Sequence, residues 1–220
     1  MKKAFLDTNI LIANVFFLNS LHFKSQMVFD EYDEVFWSNF VQYEFHRRYM
    51  IKEKNIRSFF NNLQKYFENP EKEFYSAFDL KKFALNKYSG KFMKDAESSI
   101  DSFWNEYFGI ETQMSFFEIK NAIMYCLNDL SITSNKCKKD LKQSINLTPK
   151  RINKYSRIDK MLENEGVKPA DRTVTLDGHD FACFSNDPVD FITFDLDCFK
   201  GAKNIKILCF DSIKGKFDFN

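Results

Sequence analysis

An α/β domain built on a central parallel sheet, with a large helical insertion, is the fold class the sequence predicts. Three observations carry it. Short apolar segments of strand length alternate with helix-like stretches at both ends of the chain, acidic residues stand at the strand-to-helix junctions there, and the middle of the chain carries only helical periodicity.

Lys3-Ala4-Phe5-Leu6 reads as a short buried strand. From Thr8 to Phe17, Ile10, Leu11, Ala13 and Val15 then fall in a pattern suited to a packed helix, with Asp7 at the junction. Val35-Phe36-Trp37 is a second short strand, and Ser38 is a good N-cap for a helix through Phe40, Val41, Glu44 and Phe45. Near the other end, Val189 to Phe194 and Ile205 to Phe210 are strand-like, joined by a link that contains Gly201. Strands that alternate with helices make a parallel sheet covered on both faces, and such sheets bind ligands outside the carboxyl ends of their strands. Asp7 and Asp195 both fall there.

Between about Tyr49 and Pro169 no strand is expected. Ile56, Phe59, Phe60, Leu63 and Phe67 share one helical face; Ile100, Phe103, Trp104, Tyr107 and Phe108 make a second stripe, and Phe116, Ile119, Ile123, Leu127 and Leu130 a third. Asn69-Pro70, Ser89-Gly90, Gly109 and Thr148-Pro149 punctuate the region. The organisation predicted is one domain with a discontinuous core, residues 1–50 and 170–212, and a helical insertion or subdomain over residues 50–169. The 27 phenylalanines read mostly as packing for this region rather than as platforms for stacked bases.

Composition bounds the function classes. A chain of 220 residues can bury a sizeable core. No apolar run reaches the roughly 18 residues of a membrane span, and Met1-Lys2-Lys3 leads straight into the first strand, so a cytoplasmic protein with no membrane partner is expected. The cysteines, Cys126, Cys137, Cys183, Cys198 and Cys209, show no CxxC or Cys/His ligand spacing and are expected to be buried thiols rather than a disulfide framework. With 32 basic and 31 acidic residues the net charge is +1, so any site for a polyanion must be local.

The residues that carry chemistry are acids. LDTNILI contains Asp7, SNFVQYE puts Glu44 six residues after Ser38, LDGHDFACF contains Asp177 and Asp180, and ITFDLDCF brings a strand to its end at Asp195. Carboxylates gathered at one end of a sheet repel one another unless a divalent cation neutralises them. A set with no histidine suits a hard ion, Mg²⁺ or Mn²⁺, which makes water nucleophilic and offsets the charge developing on a phosphodiester. Asn9 and Thr193 are accessory candidates that could position the carboxylates or a phosphate by hydrogen bonding.

This set, in this order, resembles the PIN domain of metal-dependent ribonucleases, a group that includes the VapC-like toxins of toxin–antitoxin pairs. In that family a first Asp ends strand one in a DTN sequence, a Glu lies in a following helix, a third Asp opens a helix, and a fourth acid follows a T-x-D strand end. The resemblance covers residues 1–50 and 170–212. It implies a three-layer α/β/α fold and an endoribonuclease acting through Asp7, Glu44, Asp177 and Asp195. Asp7, Asp177 and Asp195 would be metal ligands, with Asp180 as an accessory or substitute for the third acid. RNA is the partner it implies first; an antitoxin protein and a second copy of the chain are further candidates. A non-catalytic PIN-like scaffold that binds RNA or a protein partner is the competing reading.

Blander roles compete for single residues. An acid such as Asp177 taken alone could cap a helix or sit on the surface, whereas Asp7 lies between apolar segments where an unpaired carboxylate would be costly. Asp197 is expected to brace the turn after Asp195, and His46 and His179 to be bystanders rather than ligands. Phe194-Asp195-Leu196-Asp197 also resembles the signature of haloacid-dehalogenase-like phosphatases, but that motif closes the first strand of its fold, and here only 23 residues follow Asp197. Between Asn135 and Lys160, Lys136, Lys138, Lys139, Lys142, Lys150, Arg151, Lys154, Arg157 and Lys160 face only Asp140 and Asp159. Such a run is often a solvated face. Bordering the acids, it would hold a phosphate backbone through Lys150, Arg151, Lys154 and Arg157, with Arg47 and Arg48 assisting.

Overall fold

The computed structural model describes residues 1–67, 73–87, 93–110 and 113–219. The chain runs through β1 (Lys3–Leu6), α1 (Thr8–Val15), α2 (His22–Glu31), β2 (Glu34–Trp37), α3 (Asn39–Lys65), β3 (Glu73–Phe74), α4 (Ala77–Lys87) and α5 (Met93–Tyr107). It continues through β4 (Met114–Ser115), α6 (Phe116–Ser144), β5 (Asn146–Leu147), α7 (Ser156–Asn164), α8 (Pro169–Phe184), β6 (Val189–Ile192), α9 (Leu196–Asn204) and β7 (Ile213–Lys214). The protein is mixed α/β, with a five-stranded parallel sheet ordered β5-β2-β1-β6-β7.

The chain divides into two units. The first comprises Met1–Asn14, Phe23–Arg48 and Lys138–Asn220, and holds the whole sheet. Its central strand β1 is apolar because both faces are covered: Ala4, Phe5 and Leu6 are fully buried, with Ala4 opposite Val35 on one side and Asp190 on the other. Asp190, buried in β6, is paired: it accepts from the Tyr32 hydroxyl at 2.6 Å and meets the Lys214 ammonium at 3.4 Å. Helix α8 presses on this sheet through Gly178, where a Cβ would come within 2.7 Å of the Phe5 ring, while the Phe181 ring lies 4.5 Å from that of Phe36. That close seat fixes where the first turn of α8 stands relative to the strand ends.

The second unit comprises Val15–His22 and Tyr49–Cys137. Ile56, Phe59, Phe60 and Leu63 of α3, and Phe67 just beyond it, are buried, as their spacing predicts. Rings stack into one another around them, with Phe60 5.2 Å from Phe103 and Phe67 5.3 Å from Phe83. A two-stranded antiparallel sheet, β3 with β4, completes the unit.

Several expectations are corrected. Residues 205–210 are not a strand: Ile205 closes α9 by donating its N–H to the Ala202 carbonyl, and the chain turns before β7 supplies the ladder partner of β6. Residues 49–169 are not free of strands, since β3, β4 and β5 lie there, and β5 is an edge of the main sheet. The helical unit ends at Cys137, so residues 138–169 belong with the sheet. The Ser38-capped helix and the stripe from Ile56 to Leu63 are one 27-residue helix, α3, because nothing between Asn39 and Lys65 breaks it. The Asn69-Pro70 and Ser89-Gly90 breaks lie outside the described residues. No helix among the described residues is long and apolar enough to cross a membrane.

Candidate active site

Asp7 is the first residue beyond β1, and its N–H extends the ladder by donating to the Ile192 carbonyl at 3.0 Å. Its buried carboxylate accepts from the Thr193 hydroxyl at 2.6 Å and the Asn9 amide at 2.7 Å, both on Oδ2. Asn9 in turn accepts the Phe194 N–H at 3.0 Å, so the predicted accessory pair ties the ends of β1 and β6 together. Burial pushes the Asp7 carboxyl up to about 7; Thr193 pulls the other way, and the charges of Asp171 and Glu44 add to the rise.

Asp195 caps α9. Its Oδ1 accepts from the N–H groups of Asp197 and Cys198, at 3.0 and 2.9 Å, as an N-cap aspartate does, and its own N–H donates to Thr193 Oγ1. Glu44 reaches the same region from α3, whose first turn is capped by the Ser38 hydroxyl. One Glu44 oxygen accepts from Thr8 at 2.6 Å and the other pairs with Arg48 at 2.8 Å.

A further acid, Asp171, which the sequence analysis did not single out, lies within electrostatic reach of these three. It is the third residue of α8, two after a proline at the helix start, and it is buried. Its side chain accepts no hydrogen bond and joins no ion pair among the described residues. Burial first, then the charges of Asp195 and Glu44, raise its carboxyl above the usual range, while Arg48 and Lys168 partly offset them. The Cys198 thiol is buried beside the cluster; burial and the charges of Asp7, Asp171 and Asp195 push it up, which keeps it a neutral thiol.

The expected third acid, Asp177, has other partners. Six residues along a helix are about 9 Å and roughly 120° around its axis, and there Asp177 meets Arg151 at 2.9 Å and the Ser38 side chain. Asp180 is also engaged elsewhere: it accepts from the Tyr155 hydroxyl at 2.7 Å, and from Asn153 and the Ile152 N–H at 3.4 Å each. Both acids therefore bind the 149–155 segment to α8. The Pro-Ala-Asp start of α8 was the available signal for Asp171, a helix opening directly on an acid.

The remaining candidates separate by their partners. Lys150, Lys154, Arg157 and Arg47 are exposed, whereas Arg151 and Arg48 are committed to Asp177 and Glu44. His46 bonds the Gln42 carbonyl of its own helix; His179, buried, accepts the Cys209 N–H at 3.0 Å. Cys126 and Cys198 are buried thiols as expected, but Cys183 and Cys209 are exposed and disulfide-bonded, because the fold brings their Cα atoms to 5.4 Å although 26 positions separate them. A cavity of about 280 Å³ lined by Pro149, Lys150, Ile152, Asp180, Phe181 and Phe184 lies nine or more residues along α8 from Asp171.

An all-oxygen donor set fits a hard divalent cation. Among the described residues, the group of three potential ligands whose atoms fall within 4.8 Å of one another is His179, Cys183 and Cys209, so the acids stand further apart than a fully direct shell requires. An ion there would take at most one or two of these carboxylates directly and the others through water. No protein-family model matches the chain, and neither curated proteins nor solved structures give a match.

Proposed function

We propose that the protein is a divalent-metal-dependent nuclease with a PIN-like α/β/α layout, hydrolysing phosphodiester bonds of RNA, and that Asp7, Glu44, Asp171 and Asp195 form its active site. The observation that carries the reading is Asp171. Its carboxylate accepts no hydrogen bond among the described residues and lies close enough to Asp195 and Glu44 for their charges to act on it, a like-charge arrangement that becomes favourable once a cation occupies the cluster. Asp7, Asp171 and Asp195 would hold Mg²⁺ or Mn²⁺, which would activate water and offset charge on the phosphate.

The chain's own residues have defined tasks in this scheme. Thr193 and Asn9 orient Asp7 by donating to it, and the α9 amides hold Asp195 through one oxygen. Glu44, oriented by Thr8, is placed to accept a proton or position a water. Arg48 and Lys168 supply positive charge beside the acids, suited to a phosphate oxygen. The preference for RNA rests on the family resemblance, as does a setting as the toxin of a toxin–antitoxin pair. The Arg48–Glu44 ion pair also supports a second reading, a non-catalytic scaffold in which arginine has taken part of the cation's place.

The test is cleavage of single-stranded RNA with Mg²⁺ or Mn²⁺, with and without EDTA, by the wild type and by Asp171→Asn. Metal-dependent cleavage lost in the variant is expected. RNA binding without cleavage would favour the scaffold, and EDTA-resistant cleavage retained in Asp171→Asn would reject this site.

A further inference from the structure

Away from the acids, the end of α8 carries a second cluster. Cys183 and Cys209 are both exposed and bridged, whereas Cys126 and Cys198 are buried and Cys137 half-buried as thiols. His179, one turn before Cys183, is 3 % exposed, and its ring nitrogens lie 3.7 Å from the Cys183 sulfur. Because its Nδ1 accepts the Cys209 N–H at 3.0 Å, the proton of the neutral ring sits on Nε2. The Cys183 sulfur is equally far from both ring nitrogens and so lies off the Nε2–H axis; the cluster as folded is an exposed disulfide packed against a buried imidazole that holds the Cys209 backbone.

We propose that Cys183 and Cys209 are a reversible redox site that undergoes thiol–disulfide exchange with low-molecular-weight thiols of the glutathione class. Two thiols reduce the pair: the first attacks one sulfur and breaks the Cys183–Cys209 bond to give a mixed disulfide. The second displaces the first as a small-molecule disulfide, leaving two protein thiols and carrying off two electrons' worth of oxidation. The exposure of both cysteines gives the reagent access.

The bridge has a structural consequence. It ties the end of α8 to the connection before β7 and closes a loop that contains β6, Thr193, Asp195 and α9. Without it, that connection is held to α8 and the sheet by the Cys209 N–H to His179, the stacking of Phe210 on Phe191 at 5.0 Å, and the Asp211 N–H to the Val189 carbonyl. Reduction therefore loosens residues 205–212 first and lowers the melting temperature, because the unfolded chain regains the freedom the loop had lost.

The experiment equilibrates the full chain in reduced and oxidised glutathione at several ratios, alkylates the free thiols and counts them by peptide mass. One reversible bridge, between Cys183 and Cys209 only, is expected, with thiols retained at Cys126, Cys137 and Cys198. Melting should fall on reduction by roughly 5–10 °C, and Cys183→Ser and Cys209→Ser should each melt like the reduced wild type and ignore reductant. No bridge at any ratio, a bridge that glutathione cannot reopen, or stoichiometric Zn²⁺ retained by the two reduced thiols would each overturn the proposal. None of these readouts uses RNA cleavage, so the outcome is independent of the reading of the acidic site.

Discussion

The first turn of α8 and its last two turns carry aspartates of the same kind in opposite circumstances. Asp171 is buried among acids and accepts no hydrogen bond, while Asp177 has an arginine at 2.9 Å and Asp180 collects three donors from the 149–155 segment. Asp177 and Asp180 have protein partners that tie the 149–155 segment to α8. Asp171 has no protein donor and instead lies under the charges of Asp195 and Glu44. A carboxylate's partners, more than its place in a motif, separate a group held for a ligand from one held for the fold.

Exchanging the two roles is the strongest attack on that contrast. Asp171→Asn should lower metal-dependent RNA cleavage by at least about 100-fold, the scale of losing one charged metal ligand, while leaving the apo protein as stable as the wild type or slightly more so. Asp177→Asn keeps hydrogen-bonding capacity toward Arg151 and should retain most of the activity. Initial rates at saturating Mg²⁺ measure both. Equal losses in the two variants would erase the distinction between the ends of the helix.

A second effect follows from Asp7, whose carboxyl is pushed up to about 7 chiefly by burial. The unfolded chain releases this proton near pH 4 and the folded one near 7, so the folded state binds the extra proton between those values. The associated stability is complete below about pH 4 and is lost as pH rises through 7, by a few kcal/mol in all. Asp7→Asn should flatten this slope in urea melts of the apo protein from pH 4 to 8. Mg²⁺ or Mn²⁺ should restore wild-type stability above pH 7 by replacing the proton, and do little for the variant. A wild-type profile as flat as the variant's would mean the Asp7 charge is already compensated.

Much of this was legible in the sequence. Strand β1, the Ser38 cap, the apolar stripe of α3 and the placement of Asp7 and Asp195 at strand ends follow from period and punctuation, because each depends on residues close in the chain. Asp171 was not, because Pro169-Ala170 looked like the end of the insertion rather than the start of a helix. Asp177 drew the assignment by its spacing from Asp195, yet Arg151, which answers it, is 26 positions away and pairs only once the 149–155 segment lies along α8. The Cys183–Cys209 pair was hidden for the same reason: neither spacing nor composition reports a contact made by a turn before β7.

Asp180 gives the next largest effect. Asp180→Ala would leave the Tyr155 hydroxyl, the Asn153 amide and the Ile152 N–H without their acceptor, a loss of about 2–3 kcal/mol for a buried, hydrogen-bonded charge. Tyr155 stands at a φ of 51° at the start of α7, a conformation the rest of that network helps to hold. Denaturant melts should show the loss, and limited proteolysis should find new cuts within residues 149–155, with RNA cleavage by the folded fraction nearly unchanged. A variant as stable as the wild type would show that Asp180 does not anchor the segment.

The smallest effect separates the cations. Arg151 is committed to Asp177 and Arg48 to Glu44, whereas Lys150, Lys154 and Arg157 are exposed and in no ion pair among the described residues. A cation already neutralised by a carboxylate releases few counterions when RNA binds; a free one that meets a phosphate releases close to one. Converting Lys150, Lys154 and Arg157 to Gln together should therefore reduce the slope of log binding constant against log salt by about 2, at roughly 0.7 per contact on a single strand, with stability unchanged. Arg151→Gln should do the reverse, leaving the salt slope almost intact and lowering stability by stranding the half-buried Asp177. An unaltered slope in the triple variant would assign the 150–157 stretch to solvent and move the phosphate contacts to Arg47, Arg48 and Lys168 beside the acids.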